Sequence, residues 1–124
     1  MDDWAGNERL AWVIEREGGV VGMIEAKLKG RNAGIGYVLS PAVWGLGYAT
    51  EALDLVSEAL FCHSTVSAIW ALCVTDNPAS ARVLERCGYQ REARLPGYFP
   101  CPNLGGEKRD VWRYVRYRER GRPV

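Results

Sequence analysis

Extended and helical periods alternate along the chain. In residues 20–28, Gly22, Ile24, Ala26 and Leu28 share one face of a strand, and Val21, Met23, Glu25 and Lys27 share the other. Residues 11–16 predict the strand before it, with Gly18-Gly19 as the hairpin signal between them. Residues 33–39 predict a third strand, which ends at Ser40-Pro41. The period then changes. From Tyr48 to Cys62, the positions Ala49, Ala52, Leu53, Val56, Ala59 and Leu60 follow helical spacing. Residues 66–74 are mostly apolar and predict a buried strand. Asp76 or Asn77 followed by Pro78 opens a second helix, which runs to Cys87 and stops at Gly88. Residues 89–95 and 111–118 predict two last strands, joined by a loop containing Gly97, Pro100, Pro102, Gly105 and Gly106. The order of three strands, helix, strand, helix and two strands predicts an α/β domain on a mixed sheet (α+β in its segregation).

Composition narrows the function classes. The chain has 124 residues, enough for one domain, and 48% are apolar, enough for a core. Sixteen basic side chains against fifteen acidic give no general pull toward nucleic acid or an anionic membrane. Cys62, Cys73, Cys87 and Cys101 form no CxxC, and His63 stands alone, so no metal-ligand spacing is present. The expectation is free thiols in a reducing cytoplasm. No apolar run of about 20 residues and no charged-then-apolar leader is seen, which predicts no membrane span and no standard export signal.

The informative stretch is Trp44-Gly45-Leu46-Gly47-Tyr48-Ala49-Thr50-Glu51-Ala52-Leu53, set between a strand and a helix. Glycines there let the backbone turn tightly and approach a ligand. The free N–H groups at the helix start, aided by the helix dipole, then suit a phosphate. Either this is a pyrophosphate seat or it is an ordinary tight turn. A Walker loop is ruled against by the lack of Gly-Lys-Ser/Thr. A dinucleotide fingerprint is ruled against by Thr50 at the third glycine position and by the lack of an acid over Thr65 to Ser67.

This stretch resembles the acyl-CoA loop of the GNAT superfamily of N-acetyltransferases, most closely the branch that includes the ribosomal-protein N-terminal acetyltransferases. A second block, Asn77-Pro78-Ala79-Ser80-Ala81-Arg82-Val83-Leu84-Glu85-Arg86-Cys87-Gly88-Tyr89, is similar to that branch's Asn-x-x-Ser helix. A weaker match is Leu95-Pro96-Gly97-Tyr98-Phe99, with Asp110 before the final strand. The resemblance covers about residues 11–118, and the whole chain, 1–124, reads as a single domain of this type.

The resemblance implies acetyl-CoA as co-substrate and an amine as acceptor, with no metal. It implies that the strand Tyr37-Val38-Leu39 pairs its backbone with the pantetheine amides. It implies that the amides from Trp44 through Gly45, Leu46, Gly47 and Tyr48 to Ala49 hold the pyrophosphate, and that Asn77 bonds the pantetheine arm near the sulfur. Ser80 stands at the position of a donor to the departing thiolate, or is a helix-surface hydroxyl. Leu39 N–H is the candidate oxyanion donor. Arg82 and Arg86 face either the adenosine phosphates or solvent. The branch often carries a glutamate base in a Glu-Ile-Gly-Tyr-like run, where this chain has Gly34-Ile35-Gly36-Tyr37. Glu25 is the substitute, or else a surface carboxylate beside Lys27. Tyr98 lines the acceptor pocket or fills a core. The arginines 113, 116, 118, 120 and 122 are expected on a solvated strand edge and tail.

The resemblance also implies a first strand and two helices that residues 1–10 are too few to supply. A shortened domain would expose apolar sheet surface, which predicts a homodimer that covers it. Three functions follow: an acetyl-CoA-dependent N-acetyltransferase, a catalytically impaired acyl-CoA-binding module, and, against Thr50, a nucleotide-dependent oxidoreductase. The acceptor stays open among a protein N-terminus, an amino sugar or aminoglycoside, and a small amine.

Overall fold

The computed structural model describes residues 8–101 and 107–118, without the side chains of His63, 98–101 and 107–109. The strands are β1 (Glu8–Arg16), β2 (Gly19–Lys29), β3 (Asn32–Leu39), β4 (Ala68–Val74), β5 (Gln90–Cys101) and β6 (Glu107–Tyr117). The helices are α1 (Tyr48–His63) and α2 (Pro78–Arg86), and a short 3-10 helix, Pro41–Val43, precedes the glycine loop. They build one six-stranded sheet in the order β1-β2-β3-β4-β6-β5. Among the described strands only β3 and β4 run parallel, joined by α1 as the crossover.

Both helices pack on one face of the sheet. Ile24 and Ala26 of β2, Ile35 of β3 and Ile69 of β4 are buried there with Leu53 of α1 and Leu84 of α2. The alternation expected in β2 holds, with Ile24, Ala26 and Leu28 buried. In β4 the expectation is corrected. Only Ile69, Ala71 and Cys73 are buried, and Ala68, Trp70, Leu72 and Val74 are half-buried. Its apolar run reads as two-sided burial, but α1 and α2 both cover the same side. The other face keeps Val13, Met23, Val38 and Tyr117 exposed.

Two further expectations are corrected. The Pro/Gly stretch after residue 95 is not all loop, because β5 continues to Cys101. It does so through a bulge, since Leu95 pairs with Val111 while Phe99 pairs with Arg109. Asp110 fills the irregularity, its carboxylate accepting from Gly97 N–H at 2.8 Å and from Arg94 at 2.7 Å. Prolines are tolerated because β5 is an edge strand. The arginines of β6 do not line a solvated edge, because β6 lies between β4 and β5. Arg116 reaches Asp54 and Glu58 of α1, Arg113 bonds Glu92 at 3.0 Å, and Arg118 donates to the carbonyls of Ser64 and Val66. Arg120 and Arg122 lie outside the described residues.

Candidate functional site

The site begins where the parallel pair comes apart. β3 and β4 are paired only from Asn32↔Ala68 to Ile35↔Ala71. Beyond that point β4 pairs with β6 alone through Leu72, Cys73 and Val74, while Tyr37, Val38 and Leu39 pair with β2 alone. Strand alternation sets which groups this leaves unpaired. Ser40 N–H turns to β2, bonding Val21 O at 2.7 Å. The Leu39 carbonyl therefore faces the gap, where the Trp44 indole donates to it at 2.8 Å. The N–H of Leu39 points the same way as its carbonyl, as do the polar groups of Tyr37 two residues before.

A cleft of about 370 Å³ fills the gap. It is lined by Tyr37, Val38 and Leu39 on one wall, Trp44, Gly45 and Ala49 at the glycine loop, and Asn77, Ala79, Ser80 and Val83 on α2. Gly45 and Gly47 have φ of 79° and 84°, which glycine adopts without strain. A Cβ at either would meet no protein atom within 4 Å, so the space beside the loop is open to a ligand. Gly47 caps α1 without any side-chain bond, and Glu51 N–H is the first to donate back, to Gly47 O at 3.1 Å. The amides of Tyr48, Ala49 and Thr50 thus have no acceptor within the helix.

On α2, Asn77 is the N-cap and its Oδ1 accepts from Ser80 N–H at 3.1 Å. That bond assigns the orientation of the amide and leaves its NH₂ as the free donor. Ser80 Oγ lies 2.9 Å from the Tyr37 hydroxyl across the gap. Burial raises the pKa of Tyr37, and raises that of the buried Cys73 thiol beneath it.

The structure thus brings Tyr37, Val38, Leu39, Trp44, Gly45, Ala49, Asn77 and Ser80 together, with Leu46 and Gly47 in the loop beside them and Tyr48 at the start of α1. Arg82 and Arg86 are exposed and outside the lining. Glu25 is outside it too. It stands opposite Gly36 on the sheet face that the helices leave bare, with Arg9 at 3.7 Å. The side chain of Tyr98 is outside the described residues. Ala79 and Val83 were not expected at the cleft. Their signal is helical spacing, since 79, 80 and 83 lie on one face of α2. At Gly34, where the resemblance places a glutamate, an added Cβ would lie 2.6 Å from the Trp70 ring. No group of three or more potential metal ligands gathers among the described residues.

Known proteins fit this geometry. Residues 1–90 match the family described as "Acetyltransferase (GNAT) domain". A curated relative, the uncharacterised N-acetyltransferase YoaA of Bacillus subtilis, is 36% identical over 94 residues, covering 72% of this chain and 53% of its own. The chain therefore spans about half the length of that relative. Mycobacterium smegmatis RimJ, solved in complex with CoA-disulfide, superposes with a TM-score of 0.83 at 28% identity, covering 94% of this chain and 56% of RimJ. The ribosomal-protein-S5-alanine acetyltransferase of Vibrio fischeri shares the fold, with a TM-score of 0.78 at 21% identity over 86% of this chain and 59% of that one. With the split sheet and the glycine-opened helix in place, the match over residues 1–90 makes this chain a member of the GNAT acetyltransferase family.

Proposed function

We propose that the protein transfers the acetyl group of acetyl-CoA to a primary amine by direct attack. The observation that carries this reading is the convergence, in one cleft, of an unpaired strand edge, a run of helix-start amides with no acceptor within the helix, and the Ser80 hydroxyl. The edge of Tyr37 and Leu39 suits the amides of a pantetheine arm, as a peptide adds to a sheet. The amides after Gly47 suit the pyrophosphate. The Asn77 NH₂ is a donor near the junction of the two.

In the reaction, an unprotonated amine attacks the thioester carbonyl. The oxyanion forms within reach of Leu39 N–H, the attacking nitrogen gives up its extra proton to the same base or to water, the intermediate collapses, and the C–S electron pair leaves on sulfur beside Ser80. An alkyl ammonium titrates at about 10, so it must first lose a proton. We assign that step to Glu25 or to water. In this reading the acceptor enters on the sheet face that Glu25 shares with Gly36, where an added Cβ would meet no atom within 4 Å. Arg82 and Arg86 are assigned to solvent or to the outer phosphates of the cofactor. We further propose a homodimer in which the partner covers Val13, Met23 and Val38 but leaves a path for the acceptor at Glu25 and Gly36, and a cytoplasmic location, which suits the free thiols of Cys62, Cys73 and Cys87.

A second reading, an acyl-CoA-binding module without turnover, is favoured by two observations: Trp70 occupies the space beside Gly34, and the substitute base Glu25 is paired with Arg9 at 3.7 Å. Calorimetric titration with acetyl-CoA, with NAD as the control ligand, tests the shared part of both readings. An amine-acceptor screen then separates them. Micromolar acetyl-CoA binding with acetylated product supports the enzyme, binding without product supports the module, and no binding removes both.

A further inference from the structure

Tyr37 contributes more to the cleft than its backbone. Its side chain crosses from β3 to α2 at the level where β3 and β4 have separated, and its hydroxyl meets Ser80 Oγ at 2.9 Å. Both residues line the cleft. A serine hydroxyl has one proton to give and two lone pairs to fill. Free to rotate on an exposed helix, it would spend that proton on water or on a backbone carbonyl of the preceding turn. Here the neighbouring groups decide its direction. The 2.9 Å contact lets either hydroxyl donate, and the phenol, much the stronger acid of the two, is the better donor to a serine oxygen. The Cys73 thiol faces the same hydroxyl from β4 and is kept neutral by burial, so no anion competes for the serine proton. The Cys87 thiol also acts on Tyr37, and Glu85 and Arg91 act on Cys73.

We infer that Tyr37 is a positioning residue, whose hydroxyl donates to Ser80 and thereby turns the Ser80 proton into the cleft toward the leaving sulfur. This rests on the acetyl-CoA reading above. As the tetrahedral intermediate collapses, the C–S bond breaks and its electron pair goes to sulfur. Ser80 keeps its proton and supplies a hydrogen bond to the new thiolate, which takes a proton from solvent afterwards. A thiol titrates at about 8.5, so a directed hydrogen bond is enough help for its departure.

The test uses bound CoA and needs no turnover. The ultraviolet absorbance of the thiolate gives the thiol pKa of CoA on the protein. Wild type should hold it below the value of free CoA, and Tyr37→Phe should return it toward that value by about one unit, the size of one ordinary hydrogen bond. Ser80→Ala should shift it at least as far, and the double variant no further than Ser80→Ala. Ser80→Thr, which keeps the hydroxyl, should restore most of the effect, and it carries the same test if Tyr37→Phe does not fold. In turnover, Tyr37→Phe should lower kcat about tenfold with the KM for acetyl-CoA within about twofold, and cost nothing more in Ser80→Ala. A residue that only packs would add its loss to that of Ser80→Ala. CoA bound with the same thiol pKa in wild type and Tyr37→Phe overturns this inference alone. Failure of wild type to bind CoA overturns it together with the acetyl-CoA reading.

Discussion

The ring of Trp70 lies against Gly34 across the β3–β4 pair, with Cζ2 2.6 Å from the position of an added Cβ. The Arg113 guanidinium stands over the same ring at 5.3 Å, and Arg113 is in turn bonded to Glu92. The indole is thus held between a glycine and a cation. Any side chain at 34 has to displace it. Gly34→Ala should lower stability by about 1–3 kcal/mol, read as the urea midpoint. Gly34→Glu should not raise amine acetylation by itself. Paired with Trp70→Ala it should, if the space taken by the indole is what excludes a base at this point.

The glycine loop gives a second prediction. Gly47 is left-handed and caps α1 with no side chain. Gly47→Ala should cost about 1 kcal/mol of stability for the strained backbone. Gly47→Asp places a carboxylate where the phosphates are proposed to sit, and should weaken acetyl-CoA binding by about a hundredfold in calorimetry, the loss of about 3 kcal/mol. Equal affinities for wild type and Gly47→Asp would remove the phosphate seat from this loop.

Trp44 is bonded to a group that a pantetheine amide would use. Its indole N–H holds the Leu39 carbonyl while most of the ring is exposed. Acetyl-CoA should therefore displace the indole, and Trp44→Phe should tighten binding by up to about fivefold, near 1 kcal/mol for one released competitor. Trp44 emission, followed in a variant that keeps this tryptophan alone, should change on saturation.

Stability should fall in alkali. Burial pushes Cys87 up to about 11 and Tyr89 up to about 12, from ordinary values near 9 and 10. Both are neutral when protonated, so above the unfolded pKa the unfolded chain releases protons that the native state retains. Their contribution is complete below about pH 9 and is lost from about pH 9 to 12, on the order of 2 kcal/mol for each group. Tyr89→Phe should flatten that loss. It should also cost about 1 kcal/mol near neutrality, because Ser57 Oγ, 2.7 Å from the phenol, loses a partner.

Much of this was legible along the chain. Strand β2 declares its buried face by strict alternation, and α1 by its three-and-four spacing, because a single side chain's direction follows from local geometry. Asp76 or Asn77 before Pro78 marks the start of α2, and the structure makes Asn77 the cap through its bond from Ser80 N–H. Gly45 and Gly47 announce a turn that needs positive φ, and the turn is there. These features depend on residues within a few positions of one another.

What the linear order left undecided was which distant groups meet. The apolar run of β4 carries no mark of which face the helices take, so its half-burial follows only from α1 and α2 packing on one side. The arginines of β6 read as a solvated edge until the order β4-β6-β5 places them beside Asp54, Glu58 and Glu92. Pro96, Gly97 and Pro100 read as loop until Asp110, 13 residues from Gly97, accepts the backbone of the bulge. Sequence alone therefore determined the order of strands and helices, the Pro78 start of α2 and the glycine loop, whose energetics are local, but not the extent of β5. Tertiary structure decided the bare sheet face, the Trp70–Gly34 contact and the Tyr37–Ser80 bond across 43 residues, because each depends on surfaces that exist only once the sheet has assembled.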